Sequence, residues 1–283
     1  MQFKQEKSAV FVPDCQPVVQ ALRRTTHLAI AAHQDDLEIM SYQGILQCYG
    51  HDDRWYTGVV VTDGGGSPRS DLYAAYTDQA MQAVRRLEQD KAAVIGEYGA
   101  MVHLAYPSSD VKDPANMNVI SDLVNLLTEA HPEIVYTHNL ADKHETHIAV
   151  ALRVVAAIRQ LPPKDRPARL YGCEVWRDLD WLGDDEKVRF DVSVHPNLAA
   201  ALLGVFDSQI AGGKRYDLAA VGRRLANATF SQSHGVDESP AVSFAMDLTP
   251  LIQDDTLDIS GFINAHIQHF QNKVTATINR LIF

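Results

Sequence analysis

Thr26–Glu38 reads THLAIAAHQDDLE. The run Thr26–Ala32 is short and apolar with no carboxylate or lysine, the pattern of a strand buried on both faces. It breaks at His33-Gln34-Asp35-Asp36, where carboxylates suit the first turn of a helix. A buried strand turning straight into a helix is the opening unit of a parallel α/β sheet, and the unit recurs. Trp55–Thr62 (WYTGVVVT), Met101–Tyr106 and Glu133–Thr137 (EIVYT) read as further strands. Apolar spacing near 3.6 puts helices between them at about 37–49, 74–98, 117–130 and 145–160. The alternation predicts an α/β fold, a mostly parallel sheet with helices on both faces, and a further strand pair at Arg169–Trp176 and Val188–Val194.

Downstream the pattern turns helical, at about 197–209 and 215–229. A loop with Gly235 and Pro240 follows, and then a last helix at about 258–281. Phe262, Ile263, Ile267, Phe270, Val274, Ile278 and Leu281 line one face of this helix. Such a stripe either packs onto the chain's own core or forms a subunit interface, which leaves a homo-oligomer open. With no repeat, low-complexity tract or linker, residues 1–283 are expected to form one domain, with a core at about 26–235.

The 283 residues are 46% hydrophobic and 22% charged, the composition of an ordinary globular chain. A formal net charge of -11 argues against nucleic acid or an anionic membrane surface as main partner and favours a small-molecule or glycan substrate. No apolar run approaches the roughly 18–20 residues that a bilayer requires. The start, MQFKQEKSAVFV, lacks the form of a signal peptide. Cys15, Cys48 and Cys173 stand apart with no CxxC, which suits a reducing compartment, so a cytoplasmic protein without disulfides is expected.

Ligands of open α/β sheets bind beyond the carboxyl ends of the strands, so the residues leaving each strand carry the functional reading. After the first, His33 and Asp36 lie three apart and can converge on one point, and both are zinc-ligand types. Asp35 would sit beside the metal, placed to take a proton from a bound water. The plainer alternative is that both aspartates only cap a helix. After the fourth comes His138-Asn139-Leu140-Ala141-Asp142-Lys143-His144-Glu145-Thr146-His147. His144 and His147 are again three apart at the mouth of a helix, and Asp142 with Glu145 fits a capping box. After the second, Asp63-Gly64-Gly65-Gly66 is either a loop admitting a ligand close to the backbone or a tight surface turn. GxxxxGK[ST], GxGxxG and GxSxG are all absent, which counts against a phosphate loop, a dinucleotide and a serine hydrolase.

AHQDD-LE after the first strand, TDGGG after the second and H-x-x-H after the fourth resemble the LmbE-like (PIG-L) superfamily of zinc-dependent N-deacetylases. Its pattern is AHPDDxE, a TDG loop and HPDH. Arg85 and Glu88 look like the family's R-x-x-E segment, and Asp207-Ser208-Gln209 looks like its later H-x-S-Q. The resemblance spans about 26–235 and implies a Rossmann-like sheet without a dinucleotide. It implies one zinc per chain, replaceable by another divalent ion, held by His33, Asp36 and His147. Asp35 would be the general base, and His144 would stabilise the oxyanion or protonate the leaving amine. Arg85 and Asp63 would touch the substrate. Members act mainly on N-acetylglucosamine-type sugars, so the implied reaction is hydrolysis of an N-acetyl amide to acetate and a free amine. Gln34 stands where the family has proline. Thr146 stands where it has the aspartate that orients the catalytic histidine, and Asp142 is the candidate substitute.

Two other functions compete: a binding protein that reads a glycan or metabolite through the metal pocket, and a metal-assisted phosphoester hydrolase. Retention of Asp35 and His144 argues against the first, and the scarcity of nearby basic residues against the second. Specificity is expected in the loops 64–76, 108–116 and 178–187. The last is acidic at Asp178, Asp180, Asp184, Asp185 and Glu186. His27, His103 and His195 are expected to be structural.

Overall fold

A computed structural model describes residues 2–283. Its centre is one eight-stranded sheet: β1 (Ala9–Phe11), β2 (His27–Ala31), β3 (Tyr56–Thr62), β4 (Ala100–Tyr106), β5 (Ile134–His138), β6 (Arg169–Cys173), β7 (Lys187–Asp191) and β8 (Val242–Asp247). The spatial order is β1-β4-β3-β2-β5-β6-β8-β7. The five strands from β4 to β6 run parallel, while β1, β8 and β7 join antiparallel to their neighbours. β2, β3 and β4 step one way across the sheet and β5 and β6 the other, so the order reverses between β2 and β5. In open α/β sheets that reversal opens the crevice in which ligands bind.

Leu28, Ile30, Val59, Val61, Val102 and Val135 point into one apolar core, and Ala29, Ala31, Val60, Met101 and Tyr136 into another on the opposite face. The period-2 alternation of strand side chains explains why these runs carry almost no charge: neither face reaches water. The helices that matter to the site are α1 (Asp36–Met40), α2 (Asp78–Ile95), α3 (Asn118–Ala130), α4 (Glu145–Arg159) and α5 (Tyr216–Thr229), followed by a terminal helix, α6 (Ile259–Leu281). No helix among the described residues is long and apolar enough to cross a membrane.

Four points need correction. The helix expected over about 37–49 is broken at Ser41 into Asp36–Met40 and Tyr42–Cys48. β6 and β7 are not partners, because β8 lies between them. β8 (VSFAMD) was hidden in a stretch read as loop and follows Pro240 by two residues. The terminal stripe does not pack onto the chain's own core along its length. Phe262 and Ile263 touch it, but Ile267, Phe270, Val274, Ile278 and Leu281 remain exposed.

Candidate metal centre

The two motifs meet at the sheet reversal. β2 ends and Asp35 turns the chain with φ 78°, a left-handed conformation that aspartate tolerates better than most residues. Its N–H donates to Gln89 Oε1 at 3.1 Å, which holds the turn. Asp36, the first residue of α1, folds back so that Oδ2 accepts the N–H of His33 at 2.7 Å. From β5, His147 enters on the first turn of α4.

The result is a triangle of donor atoms. His33 Nδ1 lies 3.2 Å from Asp36 Oδ2 and 3.1 Å from His147 Nε2, and His147 Nε2 lies 3.3 Å from Asp36 Oδ2. A tetrahedral ion with bonds of about 2.0–2.1 Å separates its ligands by about 3.3 Å, so these three groups fit one. His147 and Asp36 are buried. Despite burial, which alone would raise it, the neighbouring histidines hold Asp36 well below the ordinary carboxylate range.

Two further residues, His138 and Asp142, complete the support. His138, wholly buried at the end of β5, accepts the N–H of Ala32 at 2.8 Å and stacks on the His147 ring at 3.9 Å. It thereby ties β5 to the residue preceding His33. Asp142 is not the capping-box residue of α4, whose N-cap is His144. Asp142 Oδ2 lies 3.4 Å from His147 Nδ1 and accepts the N–H of Trp176 at 3.2 Å. A carboxylate behind the far nitrogen of a metal-site histidine fixes the ring's orientation and tautomer. Asp142 was the candidate to orient His144, but its carboxylate meets only that residue's backbone N–H, at 3.1 Å. The His144 ring is held instead by the N–H of Thr146, which donates to Nδ1 at 3.3 Å. The neutral ring therefore carries its proton on Nε2. Burial, with His147 and His33 close by, pulls its pKa down to about 4.

Asp35 lies beside the triangle and is 4% exposed. Burial pushes its pKa up to about 7, opposed by Arg85. Arg85 Nη2 donates to Asp35 Oδ2 at 3.0 Å and also to Gln34 O, while no described residue hydrogen-bonds to Asp35 Oδ1. Behind Arg85, Glu88 accepts the N–H and the hydroxyl of Ser208, each at 2.7 Å. The R-x-x-E and S-Q segments are thus one buried network that aims Asp35. Arg85, 2% exposed, pairs with Asp35 through Nη2, yet it lines the cavity and its Nε and Nη1 have no hydrogen-bond partner among the described residues.

His33, Asp35, Asp36, Arg85 and His144 line a cavity of about 320 Å³ together with Gly64, Ser67, Lys112, Trp176, Gln209, Lys214 and Tyr216. Gly64, at φ 74°, is needed there, since a Cβ would collide with Gln34 Oε1. Asp63 is not brought into this cavity: it accepts from Gln82 Nε2 at 2.8 Å and from Gly65 N–H at 3.0 Å and borders a separate depression. The loop 178–187 does not line the cavity either. Lys187 pairs with Asp184 at 2.9 Å and His266 with Glu186 at 2.8 Å, and the wall comes from Val175, Trp176 and the start of α5. His103 pairs with Asp90 at 2.8 Å, away from the triangle.

Residues 28–158 match the family model described as GlcNAc-PI de-N-acetylase (PIG-L). No curated protein matches the chain. Among solved structures, the N,N'-diacetylchitobiose deacetylase of Pyrococcus horikoshii is similar, with TM-score 0.63 and 16% identity over 84% of this chain and 88% of that one. GalB, the 4-carboxy-2-hydroxymuconate hydratase of Pseudomonas putida KT2440, gives 0.61 and 16% over 79% and 95%. The A40926 pseudoaglycone deacetylase Dbv21 gives 0.57 and 16% over 79% and 97%. At such identities the likeness is one of fold, and the fold hosts a hydratase as well as deacetylases. Over residues 28–158, a little under half of the chain, the sequence is similar to the PIG-L (LmbE-like) family.

Proposed function

We propose that the protein is a metal-dependent amide hydrolase that removes an acetyl group from an N-acetylglucosamine-type substrate, with zinc as the ion. The observation that carries this reading is the triangle of His33, Asp36 and His147 donors beside a carboxylate that has one unoccupied oxygen. A bound divalent ion of this type supplies Lewis acidity toward an amide carbonyl and lowers the pKa of water.

The chain's own residues supply the remainder. Asp35 Oδ1 accepts the proton of the attacking water, while Arg85 on Oδ2 fixes the carboxylate's direction. Its raised affinity for a proton, caused first by burial, suits a group that must take one up near neutral pH. Of its two expected roles, His144 is suited to the first, stabilising the oxyanion. With Nδ1 occupied by the Thr146 N–H and its pKa depressed, it acts as a neutral Nε2–H donor to the developing oxyanion. The proton held on Asp35 then passes to the leaving amine. Trp176 and Tyr216 form an aromatic wall suited to a sugar ring or another flat apolar face.

The test is acetate release from a panel of N-acetylglucosamine compounds, using chelated protein with and without added zinc. Zinc-dependent release supports the reading. Zinc bound in a one-to-one ratio with no release from any member of the panel would favour a binding protein or another reaction of the fold. An unsaturated carboxylic acid in the panel distinguishes hydration.

A further inference from the structure

A second cavity, of about 220 Å³, shares Ile39, Val175, Trp176 and Tyr216 with the metal-centre pocket and continues from it along α5. Met40, Ala219, Ala220 and Phe244 make its remaining wall apolar, and Arg223, Arg224 and Glu174 supply its charges. Those charges do not balance. Glu174 is already occupied: Oε1 accepts the N–H of Leu179 at 2.7 Å, and Oε2 accepts from Asn227 Nδ2 at 2.8 Å and the N–H of Phe244 at 3.2 Å.

Arg224 is 5% exposed. Its Nη2 donates to the carbonyls of Glu38 and Ile39 at 2.7 and 3.2 Å, closing the last turn of α1, and its Cζ lies 4.7 Å from the Tyr42 ring centroid. Nε and Nη1 have no acceptor among the described residues and almost no open surface, so Arg224 meets the chamber as a buried charge and not as a ready donor. Burial pulls the guanidinium down to about 10, and no carboxylate is near enough to hold it up. Lys214 Nζ sits 4.9 Å from the ring of Trp176, the residue that separates pocket from chamber. Closing α1 requires one nitrogen of Arg224. It explains neither the unmet donors on two nitrogens nor a buried charge without a counter-ion, which is costly when left uncompensated.

We propose that this chamber is a subsite for an organic carboxylate, so that the substrate carries a short apolar segment ending in a carboxylate beyond its scissile amide. The apolar wall selects an organic acid over an inorganic anion, and Arg224, with Arg223 on the same wall, supplies the counter-charge. With a net charge of -11 the whole chain repels anions weakly, so recognition is local to the chamber. The inference deepens the hydrolase reading and rests on it for the reaction, but carboxylate binding can be measured without turnover.

Trp176 in the shared wall is the reporter, and the probes are hexanoate, hexan-1-ol and inorganic phosphate, titrated against the full chain. Hexanoate should change the fluorescence saturably and bind at least about tenfold more tightly than hexan-1-ol, as one charge-assisted contact would give. Phosphate should give no saturable change. Trp176→Phe should remove the signal and Arg224→Gln the preference for the acid. Ala219→Phe, at an exposed position on the chamber wall, should block hexanoate without touching Arg224, which guards against misfolding of the arginine variant. Equal binding of acid and alcohol, a preference that survives Arg224→Gln, or phosphate binding as tightly as hexanoate overturns the inference. No acetate enters this assay, so its failure is separable from failure of the deacetylase reading.

Discussion

Asp142 is the residue whose removal most directly probes how the metal centre is held. Its carboxylate is buried and serves two ends: Oδ1 receives the N–H groups of Lys143 and His144, and Oδ2 faces His147 Nδ1 and the N–H of Trp176. Asp142→Asn keeps the shape, and its amide oxygen can retain one of these two sets of donors. The NH₂ group must then face N–H donors on the other side, so His147 loses its acceptor or the turn before α4 loses its anchor. Carboxylates behind metal-bound histidines are worth about 10–100-fold in metal affinity. The 3.4 Å separation from Nδ1 is long for a charged hydrogen bond. The lower end is therefore expected: about tenfold weaker zinc binding, or about 1.4 kcal/mol. Competition against a chromophoric chelator at fixed pH measures it, with circular dichroism to check that α4 is intact. Unchanged affinity in a folded variant would refute the assignment of Asp142 to His147. A loss far above 100-fold would mean that the turn itself had collapsed.

Asp35→Asn should retain zinc, because asparagine also accepts the left-handed backbone at this position. It should lose about 10²–10⁴-fold in kcat, the usual worth of a positioned base, and activity within a factor of a few of the parent would remove Asp35 from that role. His147→Ala deletes one corner of the triangle and the stacking partner of His138, so metal analysis should find the variant empty under conditions that load the parent one-to-one. Zinc retained at full occupancy would disprove the ligand set. Far from the metal, burial and the charge of Arg54 pull the pKa of His27 from 6.5 to about 4. The folded state thus prefers the neutral ring. That stability is present above pH 6.5 and is lost as the pH falls toward 4, when the unfolded chain takes up a proton that the fold rejects. About 2.5 pK units correspond to roughly 3 kcal/mol. His27→Phe, which keeps an aromatic ring against Tyr136, should flatten the denaturation curve across that window, and an unchanged pH slope would exclude His27 as its source.

The parallel core was legible because its strands are buried on both faces, and a run such as WYTGVVVT has no other way to satisfy its backbone and side chains. β8 was not. VSFAMD has serine and aspartate among its apolar residues and follows Pro240, signals that by local chemistry alone read as loop. It becomes a strand only because β6 and β7 both offer it an edge, which is a tertiary fact. The same division runs through the site. His33, Asp36, His144 and His147 were visible as pairs three apart at strand exits, where helical geometry forces convergence. His138 was placed at the exit of the fourth strand but given no role, because its role shows only when its ring is seen to accept the backbone N–H of Ala32, just beyond β2. Arg85 was readable as a residue but not in its role: a charged side chain on the inner face of a helix signals a buried partner, yet the spacing cannot say whether that partner is a substrate or Asp35. Arg224 is the sharper instance. It lies on α5 with no motif around it, and what marks it is the mismatch between its burial and the acceptors within reach. That mismatch exists only once Glu38, Ile39, Tyr42 and the chamber have been assembled around it, so a sequence reading can find the residues that perform the reaction more readily than those that choose what is brought to it.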